Sequence, residues 1–400
     1  MSEVAAAVRL VPRSEEEAAA IVADAAAHGR TLAIAGGGTR AAFGRPVEAD
    51  ATLSSARLTG ITFYAPSEMV FGAKAGTPLV QVEAALRGSG QGLTFEPMDH
   101  RPLFGSHGEP TIGAVAAGNI SGPARIHSGA ARDHLIGVRF VNGSGEIVKS
   151  GGRVMKNVTG LDLVKLLSGS FGTLGFLTEV IFKVLPLPAH SATLVIHGLD
   201  DRRAINALAA ALGSPFQPTG AAHLPAGIDW SGARTLVRVE GFPDSVAYRL
   251  DSLAKHVSGG HRTERLDGAD AAALWRNVRD ATFLADPHSD LIWRLSVTPT
   301  AAWEVTAAIA AKIKDARWFY DWGGGLVWLA VPPLPDAGAA TIRGVVGKTG
   351  GHATLVRAPA EIRMRVPVFE PLSEALMKLS AGIKASFDPK GVFEPGRMYS

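Results

Sequence analysis

Apolar and polar positions alternate with two periods along this chain, and each change of period marks a new element. From Ser14 the run SEEEAAAIVADAAAHG returns its apolar residues at helical spacing. Ser14 with Glu17 has the form of a capping box, so a helix is predicted to end near Gly29. Residues 32–34 predict a strand that leads straight into AGGGTR at 35–40. Residues 61–64 and 69–73 read as two further strands, and Thr77 and Pro78 open a helix ending near Gly88, which makes this an α/β unit. Residues 135–141, the turn NGSG and residues 146–149 read as a β-hairpin. A short helix at 161–167 and a strand at 177–185 follow, and Pro186 and Pro188 then punctuate a domain boundary.

Beyond residue 190 the pattern becomes strands (193–196, 235–239, 291–298, 326–331) alternating with Ala-rich helices (203–212, 245–256, 301–314). That order predicts an α+β module with an antiparallel sheet and helices on one face. There is no internal repeat at a fixed short period. A helix at 372–386 precedes FDPKGVFEPGRM at 387–398, whose Phe387, Val392 and Phe393 predict an anchored end. The chain therefore divides into 1–189, 190–357 and 358–400, consistent with 400 residues exceeding the roughly 250 to 300 at which one core stops growing.

Charge narrows the partners. Forty basic against 37 acidic residues leave +3, scattered rather than blocked, which argues against nucleic acid or an anionic membrane as the main partner. No apolar run reaches the ~18 residues of a membrane span, and residues 1–11 lack the pattern of a signal peptide, so a cytoplasmic protein is expected. Cysteine is absent, which excludes disulfides, thiolate-held iron-sulfur clusters, a thiol nucleophile and a cysteinyl link to a cofactor. No metal site is expected. If electrons pass through this chain, their next carrier is elsewhere.

Three glycines at the end of a strand let main-chain NH groups converge on an anion, which points to a phosphate-bearing cofactor. A second glycine-dense block, TIGAVAAGNISGPAR, occupies 111–125. Gly36, Gly38 and Ala41 also satisfy the GxGxxA form of a dinucleotide fingerprint, but Pro46 breaks the helix that reading requires. GKT at 347–349 imitates a Walker lysine, yet Ile342 stands where its first glycine is needed. An ordinary tight loop remains the alternative for AGGGTR taken alone.

AGGGTR does not stand alone. Followed by AGTPLVQVEAAL at 75–86, TIGAVAAGNISGPAR, GAARDHLIG at 129–137 and GSFGTLGFLTEVIFKVLP at 169–186, it resembles the FAD-binding domain of the vanillyl-alcohol-oxidase (PCMH-type) flavoproteins. FDPKGVFEPGRM resembles the segment that returns to that domain. Within the family, RVMKNVTGLDLVKLLSGSFGTLG at 153–175, DWGGGLVWL at 321–329 and the closing PGRM resemble the smaller FAD-binding subunits of glycolate oxidases, over nearly the whole chain. The resemblance implies an α+β protein in which two α/β subdomains (1–189) clasp FAD beneath a ferredoxin-like cap (190–357), with 358–400 returning to the FAD domain.

It also implies roles. Gly36, Gly37, Gly38 and Thr39 would face the pyrophosphate. Ala116, Ala117, Gly118 and Gly122 would let backbone approach the ribityl chain and ring, with Asn119 and Ser121 hydrogen bonding there. Arg125 or Arg132 would supply positive charge near flavin N1 and O2, the competing reading being a salt bridge to Asp133 or a surface position. Val180 would contact adenine through its backbone. Arg40, Pro97, Thr111, Gly113 and Arg397 complete the expected cofactor site. Thr39 and Arg40 stand where covalent relatives carry histidine, so noncovalent FAD is expected. Ala114, Leu161 and Glu394 replace a glycine, a tyrosine and an asparagine that are usual in the family.

Oxidising a 2-hydroxy acid calls for a base on the hydroxyl and a cation on the carboxylate. The HxGDGNxH strand of catalytic relatives is replaced here by DWGGGLVW. Asp321 is a candidate base, or else a turn carboxylate beside Trp322. His100, His107 and His127, with Arg101, are candidates in a loop where a polar structural role competes. Arg363 and Arg365 alternate on a predicted strand before Pro367, to bind a carboxylate or to lie on an exposed edge. The expected function is an FAD subunit of a glycolate-oxidising complex, with a second FAD subunit and an iron-sulfur subunit or quinone as partners, held through them at the inner face of the membrane. The alternatives are a non-catalytic FAD-holding assembly subunit and a stand-alone dehydrogenase or oxidase of D-lactate or another 2-hydroxy acid. A cell-wall reductase acting on a UDP-sugar enolpyruvate has no specific signature.

Overall fold

Ser14 accepts the amide of Glu17 at 3.2 Å and opens the helix Glu15–Ala27, while the Glu17 carboxylate takes the amide of Arg13, one residue before the cap. In this computed structural model, which describes residues 8–153, 161–229 and 231–399, that helix packs Ala18, Val22 and Ala25 on a three-stranded parallel sheet. The sheet runs Val8–Leu10, Ala51–Ser54, Leu32–Ala35. Residues 154–160 of the RVMKNVTG stretch lie outside the described residues, as do residues 1–7.

The second subdomain is antiparallel, in the order Ile61–Ala65, Val70–Lys74, Phe176–Lys183, Leu135–Val141, Ile147–Gly151. The helices Leu79–Arg87 and Ile112–Gly118 bury Val82, Leu86, Ile112 and Val115 in the same core as Phe71 and Phe182 of this sheet. The cleft between the two subdomains is where AGGGTR emerges.

The cap sheet begins at His190. Its eight antiparallel strands lie in the order Thr263–Asp267, His190–His197, Arg234–Gly241, Gly220–Leu224, Arg317–Asp321, Leu326–Val331, Leu291–Ser296, His352–Arg357. Followed along the chain this is two successive βαββαβ units, each with its strands in the spatial order fourth, first, third, second. The ferredoxin-like cap is thus doubled, and the two units meet where His223 pairs with Tyr320. The copies share topology rather than a recurring motif, which is why no period shows in the sequence.

Alternation along the strands decides what each face meets. Leu194 and Ile196 join a core with Leu208, Leu250, Val305 and Ile342 from four helices. Val195, Ala222 and Trp328 face the other way and share one core with Phe95 and Ile112 of the FAD domain. The expectation of helices on one face needs correcting: Gly268–Arg279, which joins the two units, lies on the inner face, where Trp275 Nε1 donates to Thr193 Oγ1 at 2.8 Å.

Polar ties fix the rest of the chain to the FAD domain. Arg238 donates to Glu96 at 2.7 and 3.0 Å, Trp322 Nε1 to Gly122 O at 3.0 Å, Arg357 to Leu103 O at 2.8 Å and Arg363 to Gly44 O at 2.6 Å. Arg363 and Arg365 lie on the helix Ala360–Arg365, not on a strand. Pro359 sets its start, and the buried Arg363 is spent on carbonyls rather than on a ligand. After the helix Glu374–Phe387, Asp388 accepts the amides of Val392 and Phe393, each at 2.8 Å. The Leu32 amide donates to Val392 O at 2.7 Å and the Glu394 amide to Leu32 O at 2.9 Å, so the tail pairs with the strand that carries AGGGTR.

Candidate active site and cofactor cleft

The glycines of AGGGTR first serve contact between loops. A Cβ on Gly37 would stand 1.7 Å from the carbonyl oxygen of Glu109, and one on Gly108 1.7 Å from that of Gly37. On Gly36 it would meet Thr111 Oγ1 at 2.4 Å, and on Gly113 it would meet the Ala75 Cβ at 2.6 Å. Only residues without side chains let the two glycine-rich segments press together this closely. Gly38, at φ +78°, has open space beside it. The resulting cleft is lined by Gly36, Gly37, Gly38, Thr39, Arg40, Thr111, Gly113, Ala117, Gly118 and Arg397, and also by Gly172, Leu177 and Glu394.

Three buried polar atoms around it have no partner among the described residues: Arg40 Nη1, Thr111 Oγ1 and Arg397 Nε. Arg40 is enclosed, donating to His100 Nδ1 at 3.1 Å and Met98 O at 3.3 Å, and burial pulls its pKa down to about 10 against the pull of Asp99. A buried guanidinium with no carboxylate in contact is costly unless an anion joins it. Glu394 accepts the Ile34 amide at 2.7 Å and pairs with Arg397 at 3.1 Å, and burial raises its pKa.

The cleft shares Gly118 and Phe171 with a cavity of about 500 Å³ between the FAD domain and the cap. Asn119, Gly122, Arg125, His100 and Asp321 line it. Asn119, at φ +50°, ends the helix Ile112–Gly118, and its Oδ1 accepts the Arg132 amide at 2.9 Å. His100 is stacked with Phe104 and Phe43, and burial with the nearby Arg40 charge holds it well below the usual imidazole range, so it is a neutral prop for Arg40. Asp321 Oδ1 accepts the Trp322 amide at 2.7 Å and holds that residue at φ +54°. Burial, aided by Glu96 and opposed by Arg238 and Arg294, raises the Asp321 pKa to about 7.

Other expected residues stand elsewhere. Arg101 is held by Asp99 at 2.9 Å and Glu109 at 3.0 Å and lines neither space. His127, His107 and Arg132 are exposed. Pro97 is buried but lines neither. Val180 sits mid-strand, paired with Ala73 and Val138, while Leu177 reaches the cleft because the strand starts at Phe176.

The cavity also holds residues that sequence reasoning missed. Arg294, on Leu291–Ser296, and Arg125 both stand over the Trp322 ring, at 5.0 and 4.7 Å from its centre. Neither makes an ion pair or side-chain hydrogen bond among the described residues, whereas Arg279 nearby is paired with Asp280 at 2.7 Å. Burial and the Arg125 charge lower the Arg294 pKa to about 10. His352 lines the same wall. The available signal was a lone charge inside the apolar strand LIWRLS.

Comparison with known proteins gives the same reading. The model of a family described as FAD binding domain matches residues 6–151. In fold, alkyldihydroxyacetonephosphate synthase superposes with a TM-score of 0.68 over 97% of this chain and 76% of its own, at 17% identity. The chain belongs to the PCMH-type FAD-binding flavoproteins. Over nearly its full length it is similar to glycolate oxidase subunit GlcE of Escherichia coli, 34% identical over 371 residues, 92% of this chain and 93% of the relative. Glycolate oxidase subunit GlcD of Bacillus subtilis is 29% identical over 187 residues, 46% of this chain and 38% of the relative. FAD is the cofactor, and the residues fit it: the partnerless Arg40, Thr111 and Arg397 atoms and the glycine-lined backbone suit a pyrophosphate.

Proposed function

We propose that the protein is the FAD-binding subunit of a glycolate-oxidising complex, taking part in conversion of a small 2-hydroxy acid to the 2-oxo acid. The observation that carries this reading is the continuity of the FAD cleft with a cavity whose wall bears two arginines without acidic partners. Bound FAD supplies a two-electron acceptor for the hydride leaving the α-carbon. This chain's part is to hold the pyrophosphate with Gly36 to Arg40 and Thr111, to keep Arg40 oriented through His100, and to close the cavity with the cap. The relatives GlcE and GlcD are named as subunits of glycolate oxidase, which supports a second FAD subunit as partner. With no cysteine here, an iron-sulfur subunit or quinone would take the electrons onward. Among the described residues no helix is long and apolar enough to cross a membrane, so attachment at the inner face would run through those partners.

Anaerobic mixing of the FAD-loaded protein with glycolate, and separately with D-lactate, tests the reading: the visible flavin absorbance should bleach, alone or with co-expressed partners. Absence of bleaching under both conditions overturns it. Acid precipitation should leave the flavin in solution, since Thr39 and Arg40 offer no covalent tether. A second reading, an FAD-holding assembly subunit, is favoured by Asp321 and Trp328 in DWGGGLVW, where the histidine-rich strand of catalytic relatives is expected.

A further inference from the structure

The cap wall of the cavity is one face of an antiparallel sheet, and register places its polar residues. Arg294 lies opposite Trp328 on one side and Thr354 on the other, and Ser296 lies opposite His352. Arg294 and His352 are therefore diagonal neighbours on one face, about 7 to 8 Å apart at the backbone. Both line the cavity, and Arg125 enters it from the FAD domain. The His352 ring makes no hydrogen bond among the described residues. His352 is exposed to solvent on one side; partial desolvation and the charges of Arg294 and Arg125 lower its pKa from the ordinary imidazole value, with Glu370 as the opposing charge.

We propose that Arg125 and Arg294 hold the carboxylate of a 2-hydroxy acid beside Trp322 and that His352 takes the proton of its hydroxyl, so that this chain carries its own oxidation site. The proposal rests on the 2-hydroxy-acid reading above. As the substrate is oxidised, its O–H bond breaks and the proton moves to the imidazole. The α-C–H pair and hydrogen leave together as hydride to the two-electron acceptor already named, and the oxygen's freed pair closes the C=O bond. Two guanidiniums lacking carboxylate partners are what a small carboxylate would satisfy by charge-assisted hydrogen bonds. Neutralising them removes two of the forces that depress His352, so the imidazole becomes more basic when substrate is seated. Asp321 is a positioning residue here: its bond to the Trp322 amide fixes the ring over which both guanidiniums stand.

Oxalate, which cannot be oxidised by hydride loss, probes the clamp by calorimetry on the FAD-loaded protein. Arg294→Gln and Arg125→Gln should each weaken its binding about 30-fold or more. His352→Gln should keep oxalate affinity within about threefold, a change typical of sites that bear little load. The same variant should slow anaerobic flavin reduction by glycolate about 100-fold or more and remove the acid limb of its pH profile. If Arg294→Gln loses flavin, Arg125→Gln decides, since it stands on a short helix of the FAD domain rather than within the cap sheet. Unchanged oxalate affinity in the arginine variants, or wild-type reduction by His352→Gln, overturns the proposal. Reduction by glycolate that occurs only with partners, while oxalate fails to bind this chain, overturns this site and leaves the 2-hydroxy-acid reading standing. No reduction with or without partners ends both.

Discussion

The two walls that enclose the cofactor space are made by opposite means. On the FAD side the wall is largely backbone: Gly36, Gly37 and Gly113 line it, and the Thr111 side chain, the Glu109 carbonyl and Ala75 leave no room there for a Cβ. On the cap side the wall is side chains, Arg294, Trp328, His352 and Thr354, projecting from a sheet whose backbone is already satisfied. A backbone wall recognises what every nucleotide cofactor shares, its phosphates, and tolerates no substitution. A side-chain wall can be rewritten one residue at a time, and it is where selection for one substrate over another can act.

The most severe break of the first wall is Gly37→Val. Its side chain would fall on the Glu109 carbonyl, and the protein should purify colourless or not at all; a folded product with the wild-type ratio of visible to ultraviolet absorbance refutes the loop's assignment. Next comes the seam between the walls. Arg238→Met leaves Glu96 without its bidentate partner at the domain boundary and should cost about 3 to 5 kcal/mol of unfolding free energy, measured by denaturant titration.

Asp321→Asn sharpens the second wall. The unfolded carboxyl loses its proton near pH 4, whereas the folded one keeps it to about pH 7, so stability is lost as pH rises between those values. The asparagine still accepts the Trp322 amide. The variant should melt above wild type at pH 8, by a few kcal/mol at most, and the advantage should vanish near pH 4. The smallest effect belongs to Lys348→Ala in GKT: this exposed lysine lies in neither wall, and FAD affinity and stability should stay within about 0.5 kcal/mol of wild type.

This division also explains what could be read from the sequence. Close approach of neighbouring atoms demands glycine, so Gly36, Gly37, Gly113 and Gly118 announce themselves by type and spacing. The cap wall depends on register between strands far apart in the chain, and no local pattern says that Arg294 and His352 share a face. The doubled βαββαβ topology was hidden for the same reason, together with the strands Gly220–Leu224, Thr263–Asp267, Arg317–Asp321 and His352–Arg357. Val180 is paired on both sides within the strand Phe176–Lys183, while Leu177 near its start lines the cleft. Asp321 holds a turn, as one of its two readings had it, and it also lines the cavity.

The strand leading into the first glycine loop is completed by Val392, Phe393 and Glu394, through the Leu32 amide and carbonyl and the Ile34 amide. A nascent chain therefore displays AGGGTR more than 350 residues before it has made Val392, Phe393 and Glu394, which brace it. A chain cut short before Val392 would leave that early-made binding element unbraced.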